Sequence, residues 1–276
     1  MIKHFREIHR LMNRFGPARL AVVNPQHPHL QYILKKSTHK GFIEPLLFIN
    51  DDPTIAAREA IEAVASGKAD LLMKGNIDTA TLLSIILNKE YGLRTDKLLS
   101  HISVIETPFY NRFMLCSDGG INIHLNEDTV SGIIENALSL ATNLTIQKPN
   151  VAFLSLVETI TPKLPSTKLW KKMTQKYLTD NRLTTEGPIA LDIAISAIAA
   201  ERKSVESKIA GKTDIFIGPT ITSINMMVKA LINVGGARGG SIILGAKCPI
   251  ILLSRSETRG TKMNSITLGL LALNRS

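Results

Sequence analysis

The chain has 276 residues, of which 44% are apolar and 20% charged, and its formal net charge is +10. This length predicts a globular protein of one large or two smaller domains with a substantial core. No segment reaches the roughly 18 to 20 continuous apolar residues of a membrane span, and charges interrupt the first fifteen residues, unlike a signal peptide. We therefore expect a cytoplasmic protein that does not engage a membrane.

The excess of positive charge raises the question of an anionic partner. The basic residues are dispersed, with lysine doublets at Lys35-Lys36 and Lys171-Lys172 and few aromatic residues beside them. This distribution argues against nucleic acid and is compatible with a small anionic substrate or a solvated surface. The two cysteines, Cys116 and Cys248, lie in separate apolar runs, which predicts two buried thiols and excludes a cysteine metal site.

Strands and helices alternate along the first hundred residues. Strands are predicted over 19–23, 45–50 and 70–73, and helices over 29–36, 53–66 and 79–87. The second helix has the clearest boundaries, with aspartate and proline at its start and Gly67 at its end. Residues 101–117 then predict an antiparallel hairpin.

The alternation continues in the second half. Helices are predicted over 127–144, 165–178, 190–202 and 223–234, and strands over 151–157 and 214–218, before a last strand pair that ends near residue 253. The fold class is therefore α/β, with mostly parallel sheets and helices on both faces.

The stretch from Gly245 to Lys262 predicts a buried strand, a polar turn and a helix. Ser254 and Arg255 follow the strand directly, at the end where ligands bind in open α/β sheets. A turn that only caps the next helix is the alternative interpretation.

Five stretches together resemble the phosphate acetyl/butyryltransferase family, and the butyryltransferase branch most closely. They are ADLLMKGNIDTATLL (69–83), GLRTDKLLSHISV (92–104), VAFLSLVETITPKLP (151–165), EGPIALDIAIS (186–196), and INMMVKAL with GAKCPIILLSR (224–255). The resemblance implies two domains with an isocitrate/isopropylmalate dehydrogenase-like fold and the site in the cleft between them. We place the domains at 1–122 with 255–276, which is shorter than the family's usual first domain, and at 123–254.

The resemblance also implies a reaction and partners. Members exchange an acyl group between coenzyme A and orthophosphate, without a metal or a permanently bound cofactor and usually as homodimers. Two alternatives stay open: a transferase acting on acyl chains bound to a carrier protein, and a non-catalytic acyl-CoA-binding relative.

This chemistry needs a phosphate cradle, a cation near the oxyanion and a means of handling the thiol proton. Lys74 and Gly75, followed by a helix carrying Thr79, are the phosphate candidates, through a cation, a close backbone approach and helix N-terminal amides. Arg255 would hold phosphate or polarise the carbonyl, and Ser254 would donate a hydrogen bond. The alternative for residues 74–76 is an ordinary strand-to-helix turn.

The thiol base departs from the family pattern. In the acetyltransferase branch an aspartate seven residues after the serine is the proposed base, and this chain has Thr261 there. Glu257 is the nearest carboxylate and is our candidate base. Full deprotonation of a thiol with a pKa of about 8.5 gains only about 2 kcal/mol at pH 7, whereas orientation can supply about 7 to 11 kcal/mol.

Two further residues are substrate-binding candidates by resemblance. Asp118 begins a glycine-bearing turn and Asn225 lies on a helix that borders the cleft in the family. A structural turn explains Asp118 equally well, and Ser100 and His101 are interpreted as packed or capping residues. The GGARGG run at 235–240 lacks the dinucleotide spacing, so a nicotinamide cofactor is excluded.

Overall fold

A computed structural model describes residues 1–254 and 256–273. The chain divides into two compact units. The terminal unit contains His4–Leu99 and the chain from Gly239 on, and the central unit contains Met1–Lys3 and Ser100–Arg238. These boundaries fall at 99/100 and 238/239, whereas the sequence-based division placed them at 122/123 and 254/255.

The strands and helices are numbered in chain order. The strands are β1 (Ala18–Val23), β2 (Ile43–Phe48), β3 (Leu71–Lys74), β4 (Ser100–Thr107), β5 (Tyr110–Ser117), β6 (Asn150–Leu154), β7 (Thr184–Ile189), β8 (Ile215–Ile217), β9 (Arg238–Leu244) and β10 (Ile250–Ile251). The helices are α1 (Phe5–Met12), α2 (Pro28–His39), α3 (Pro53–Ala65), α4 (Thr79–Leu87), α5 (Glu127–Asn143), α6 (Ser166–Lys176), α7 (Leu191–Ile195), α8 (Ala197–Arg202), α9 (Ile221–Asn233) and α10 (Arg259–Ala272).

The terminal unit is a doubly wound sheet. Its strand order is β2-β1-β3-β10-β9, with parallel pairing from β2 to β10 and antiparallel pairing of β10 with β9. The chain moves outward from β1 to β2 and then back across β1 to β3. Because both crossovers are right-handed by rule, α2 and α3 cover opposite faces. The strand order therefore reverses between β1 and β3, which is where such sheets bind ligands.

The central unit has the strand order β4-β5-β8-β6-β7. The hairpin β4–β5 is antiparallel and the remaining pairs are parallel. One sheet face packs against α7, α8 and α9 through buried residues such as Cys116, Phe216 and Ile224. On another strand, Phe153 stacks on Trp170 of α6 with ring centroids 5.1 Å apart. The α/β class with mostly parallel pairing is thus confirmed.

Two local predictions need correction. The single helix predicted over 190–202 is two short helices, because Ser196 adopts an extended backbone and caps α8 by accepting a hydrogen bond from Ala199 N at 3.2 Å. Strand β7 was missed because its sequence TTEGPI contains Gly187 and Pro188, which are depleted in strands. At Gly187 a Cβ atom would lie 2.5 Å from the Phe153 Cβ, so the close pairing with β6 requires glycine.

Both cysteines are buried free thiols, as predicted. Burial raises the pKa of Cys116 and of Cys248 to about 12. We expect neither thiol to react with an aromatic disulfide reagent at pH 8 in the folded protein, and both to react in denaturant. If the native protein released one equivalent of aromatic thiolate from the reagent within minutes, this burial would be contradicted.

The described helices are too short or too polar to cross a membrane. The longest of them in the described ranges is α5, with 17 residues, and it carries Glu127 and Asp128 in its first turn. A span needs about 20 predominantly apolar residues.

Candidate active site

In the terminal unit the predicted residues gather where two neighbouring parallel strands end. Met73 of β3 pairs with Ile251 of β10, so the two strands deliver the following residues to the same sheet edge. Lys74 is the last residue of β3, and Ser254 follows β10 by three residues. The adjacent β1–β3 junction is the point at which the strand order reverses, so this edge is the expected ligand site of the unit.

Lys74 is a buried cation. Its side chain is only 7% exposed, and its Nζ donates to the carbonyl oxygen of Gly75 at 3.5 Å. Its charge contributes to the low pKa of the Asp78 carboxyl, which is lowered first by the backbone N–H of Thr81 and only lastly by Lys74. A buried ammonium at a strand end is expensive unless anions or dipoles face it, so Lys74 is suited to binding an anion.

Gly75 is required by the contact between backbones. A Cβ atom there would lie 1.9 Å from the carbonyl oxygen of Val23 and 2.5 Å from that of Asn24. The next residue, Asn76, donates its backbone N–H to the Asn24 carbonyl at 2.8 Å. The backbone of Gly75 therefore packs closely against the end of β1. The predicted partner for this close approach was a phosphate.

The first turn of α4 is already capped. Asp78 accepts hydrogen bonds from the backbone N–H groups of Ala80 at 2.9 Å and Thr81 at 3.1 Å. The prediction that the amides of this helix end bind phosphate is therefore corrected, because the Asp78 carboxylate already holds those donors. Thr79, which lies beside the cap and is half-buried, stays a predicted binding residue.

The turn after β10 exposes Ser254. Its Oγ lies 3.0 Å from the Oγ of Ser256, and its carbonyl accepts from the backbone N–H of Glu257 at 3.2 Å. Glu257 is half-buried. Arg255 lies outside the described residues, so its predicted role rests on its place in the chain between Ser254 and Ser256.

Thr261 is no substitute for the missing base. It is 4% exposed, and its Oγ1 lies 3.0 Å from the Oγ1 of Thr258, which also caps α10 by accepting from Thr261 N. An engaged hydroxyl with an ordinary high pKa does not deprotonate a thiol.

Lys262 is the residue that the sequence analysis missed. It is only 5% exposed, and its Nζ donates to the backbone carbonyl of Glu257. Burial lowers the pKa of Lys262, while the Glu257 carboxylate opposes that shift. Because a lysine in the first turns of a polar-starting helix normally extends into solvent, its burial has no signature in the sequence beyond its closeness to Ser254.

In the central unit, Asp118 organises the turn that follows β5. One carboxylate oxygen accepts from the backbone N–H groups of Gly120 at 2.7 Å and Ile121 at 2.9 Å. The other accepts from His101 N at 3.2 Å and Asn122 Nδ2 at 2.6 Å. With four donors around it, this carboxylate shapes the turn, and its predicted contact with substrate is not needed to explain its presence.

Asn225 and His101 pack against the same turn. Asn225 Nδ2 donates to the carbonyl of Gly119 at 2.9 Å, which ties α9 to the residues after β5. His101 Nδ1 is removed from solvent and has no hydrogen-bond partner. Burial lowers the pKa of His101, against the opposing effect of Asp118, so the imidazole is neutral at pH 7. Ser100 is fully buried and accepts from Asn136 Nδ2 at 2.8 Å, which agrees with a packing role.

The predicted site residues thus fall into two groups. Lys74, Gly75, Thr79, Ser254 and Glu257 belong to the terminal unit, and Asp118 and Asn225 belong to the central unit. Within residues 1–254 and 256–273, no three His, Cys, Asp or Glu side chains are grouped as metal ligands.

Comparison with solved structures defines the class. The chain matches a branched-chain phosphotransacylase from Enterococcus faecalis V583 with a TM-score of 0.85 and 29% identity, over 94% of this chain and all of the other. The doubly wound α/β fold of this chain is therefore that of the phosphotransacylase class.

Sequence comparison places it within that class. Residues 21–270 match the family described as "Phosphate acetyl/butaryl transferase". The chain is 35% identical to a phosphate butyryltransferase of Clostridium acetobutylicum, over 98% of both chains, and 38% identical to a phosphate acetyltransferase of Thermotoga maritima, over 93% of this chain and 96% of the relative. The chain belongs to the phosphate acetyl/butyryltransferase family and is an acyltransferase, which confirms the resemblance found in the sequence.

Proposed function

We propose that the protein exchanges a short-chain acyl group between coenzyme A and orthophosphate, with Lys74 and the Ser254–Glu257 turn as the reacting region. The observation that carries this proposal is the placement of Lys74 and Ser254 at the ends of adjacent parallel strands in a chain of this family.

The reaction needs little covalent chemistry from the protein. A phosphate oxygen attacks the thioester carbonyl carbon, the C–O bond forms, and the electron pair of the carbonyl moves to its oxygen. Collapse of this oxyanion breaks the C–S bond and releases the coenzyme A thiolate, which takes a proton from solvent or from a nearby acid. The ammonium of Lys74 holds the phosphate, and Ser254 and Arg255 donate to the oxyanion.

Glu257 is our candidate for the group that exchanges the thiol proton. It is the nearest carboxylate to Ser254 in the chain, and its backbone bonds to both Ser254 and Lys262 fix the position of the turn. Lys262 is a positioning residue in this account, because its described contact is with the turn and not with a substrate.

Replacing Lys262 with methionine is expected to lower kcat about tenfold, because the turn loses its buried anchor while the apolar stem is kept. Because its pKa is lowered, wild-type activity should fall at high pH before an exposed lysine would lose its proton, and the methionine variant should lack this alkaline limb. Lys262→Arg, which keeps the charge, should recover part of kcat. A methionine variant with an unchanged pH profile would mean that Lys262 only supports packing.

A thiol-release assay with acetyl-, propionyl- and butyryl-CoA plus phosphate tests the proposed function. We expect phosphate-dependent release, with a preference for butyryl or branched chains, and butyryl bound to an acyl carrier protein should be a much poorer substrate. Release only from the carrier protein would favour the carrier-dependent alternative, and no release from any thioester would favour a non-catalytic binding role. The preference for one acyl chain length over another depends on the pocket, where each methylene group contributes about 1 to 3 kcal/mol to discrimination.

Several expectations stay predictions. These are the homodimer, the cytoplasmic location, and the binding roles of Thr79, Asp118 and Asn225. The contacts of Asp118 and Asn225 are with the turn at residues 118–122. We therefore propose that both residues act on substrate binding by holding the shape of that turn.

A further inference from the structure

Three asparagines stand at the carboxyl ends of three neighbouring parallel strands in the terminal unit. Asn24 directly follows β1, Asn50 follows β2 by two residues, and Asn76 follows β3 by two residues. The pairing of Val23 with Lys74 brings the end of β1 level with the end of β3. The three asparagines therefore lie along the sheet edge at which the strand order reverses.

Asn24 joins the other two asparagines and is only 2% exposed. Its side chain pairs reciprocally with the backbone of Asn50, because Nδ2 donates to the Asn50 carbonyl at 3.0 Å and Oδ1 accepts from the Asn50 N–H at 3.0 Å. Its own carbonyl oxygen accepts from the backbone N–H groups of Gln26 at 2.9 Å and Asn76 at 2.8 Å. This one residue thus holds the chain after β2 and the chain after β3 to the end of β1.

The backbone of Asn24 is left-handed, with a φ of 42°. Asparagine and glycine enter this region more readily than other residues. Glycine has no side chain to pair with Asn50, and aspartate has no donor for the Asn50 carbonyl, so asparagine meets both requirements. An uncommon backbone conformation that hydrogen bonds hold from both neighbouring strands is typical of positions that fix a functional site.

The path from Asn24 to the Lys74 ammonium is short. The backbone of Gly75 lies against the Asn24 carbonyl, since a Cβ atom on Gly75 would be 2.5 Å from that oxygen. The Nζ of Lys74 donates in turn to the carbonyl oxygen of Gly75 at 3.5 Å. A second link runs along the surface, where Asn76 Nδ2 donates to Gln26 Oε1 at 3.2 Å. A displacement of Asn24 is therefore passed to the turn that carries the ammonium.

We propose that Asn24 is a positioning residue for orthophosphate, an inference that rests on the proposed function. By holding residues 74–76 against the end of β1, it sets the place at which the Lys74 ammonium meets phosphate. A misplacement of about 1 Å is enough to lower a rate by one to two orders of magnitude. Among the described residues, the hydrogen bonds of Asn24 go to the chain after β1, β2 and β3 and not to the Ser254 turn, so thioester binding should not depend on it.

Replacing Asn24 with glycine removes the side chain alone, because glycine adopts the same φ and keeps the backbone hydrogen bonds. We expect kcat/KM for phosphate to fall about tenfold, while KM for butyryl-CoA changes less than twofold. Steady-state kinetics with each substrate varied in turn, well below the melting temperature of the variant, measures this split. A purely structural asparagine would not affect one substrate selectively.

Asp70→Ala is the matched control, because it cuts a link between the same two strands at their opposite ends. Asp70 precedes β3 and accepts from the backbone N–H of Arg19 on β1 at 2.8 Å, and it also pairs with Arg19 Nη2 at 2.7 Å. This variant should lose at least as much melting temperature as Asn24→Gly and keep wild-type phosphate kinetics. Equal losses of kcat/KM for phosphate in the two variants would show that Asn24 only stabilises the unit, which overturns the inference.

A phosphate titration followed by melting temperature separates this inference from the proposed function, since it measures binding without turnover. At constant ionic strength set with chloride, wild type should bind phosphate, and Asn24→Gly should bind it about tenfold more weakly. Equal dissociation constants, or no binding by wild type, would overturn the inference. Absence of thiol release from every thioester, with the difference in phosphate binding intact, would contradict the proposed function and leave the role of Asn24 in phosphate binding standing.

Discussion

Replacing Lys74 with methionine is expected to lower kcat/KM for phosphate about a hundredfold. Methionine preserves the volume and the apolar stem of a side chain that is 7% exposed, so the fold should be retained while the ammonium is lost. A charge-assisted contact to phosphate contributes roughly 3 kcal/mol in a water-excluded site, which corresponds to that factor. Steady-state kinetics with phosphate as the varied substrate measures it.

Lys68→Met is the control for Lys74→Met, since it removes an exposed lysine from the turn before β3. It should retain wild-type kinetics. If Lys74→Met also retained its phosphate kinetics with an unchanged melting temperature, Lys74 would be a buried lysine with a structural role, and the phosphate site would lie elsewhere.

Replacing Arg255 with alanine is expected to lower kcat about a hundredfold, with the melting temperature nearly unchanged. The expectation rests on its position directly after Ser254 and on the family resemblance. A planar guanidinium holds phosphate or an oxyanion with two parallel donors, so Arg255→Lys keeps the charge, loses the fork and should also be slower than wild type.

The kinetic pattern assigns the role of Arg255. A rise confined to the phosphate KM would indicate ground-state binding, and a fall in kcat would place the guanidinium on the transition state. Arg58→Ala is the matched control, because Arg58 is exposed on α3 and lies over the Tyr91 ring at 5.6 Å. Wild-type rates in both Arg255 variants would show that the residue is a surface charge.

Much of the fold follows from local sequence signals. Helix α4 was predicted with its observed bounds, Thr79–Leu87, and the structure shows Asp78 and Asn88 capping its two ends. The alternation of strands and helices also places Lys74 and Ser254 at strand ends, and the parallel pairing of β3 with β10 brings those ends together. The register between distant strands itself has no local signal.

Other features depend on tertiary contacts and were missed. Lys262 is buried on α10, a helix that packs against α1 and α2, and no local pattern around Lys262 indicates that burial. An aspartate at position 78 is a typical helix cap, but only the structure shows that its carboxylate occupies the first amides of α4 that were predicted to bind phosphate. The exposed apolar residues of β2 follow from its place at the sheet edge.

Phosphorus NMR on purified protein with butyryl-CoA and millimolar phosphate tests the central claim most directly. The account predicts a new acyl phosphate resonance that grows in step with free thiol, and that grows about a hundredfold more slowly in the Lys74→Met variant. Absence of acyl phosphate and of thiol release with every acyl-CoA from two to eight carbons would contradict it.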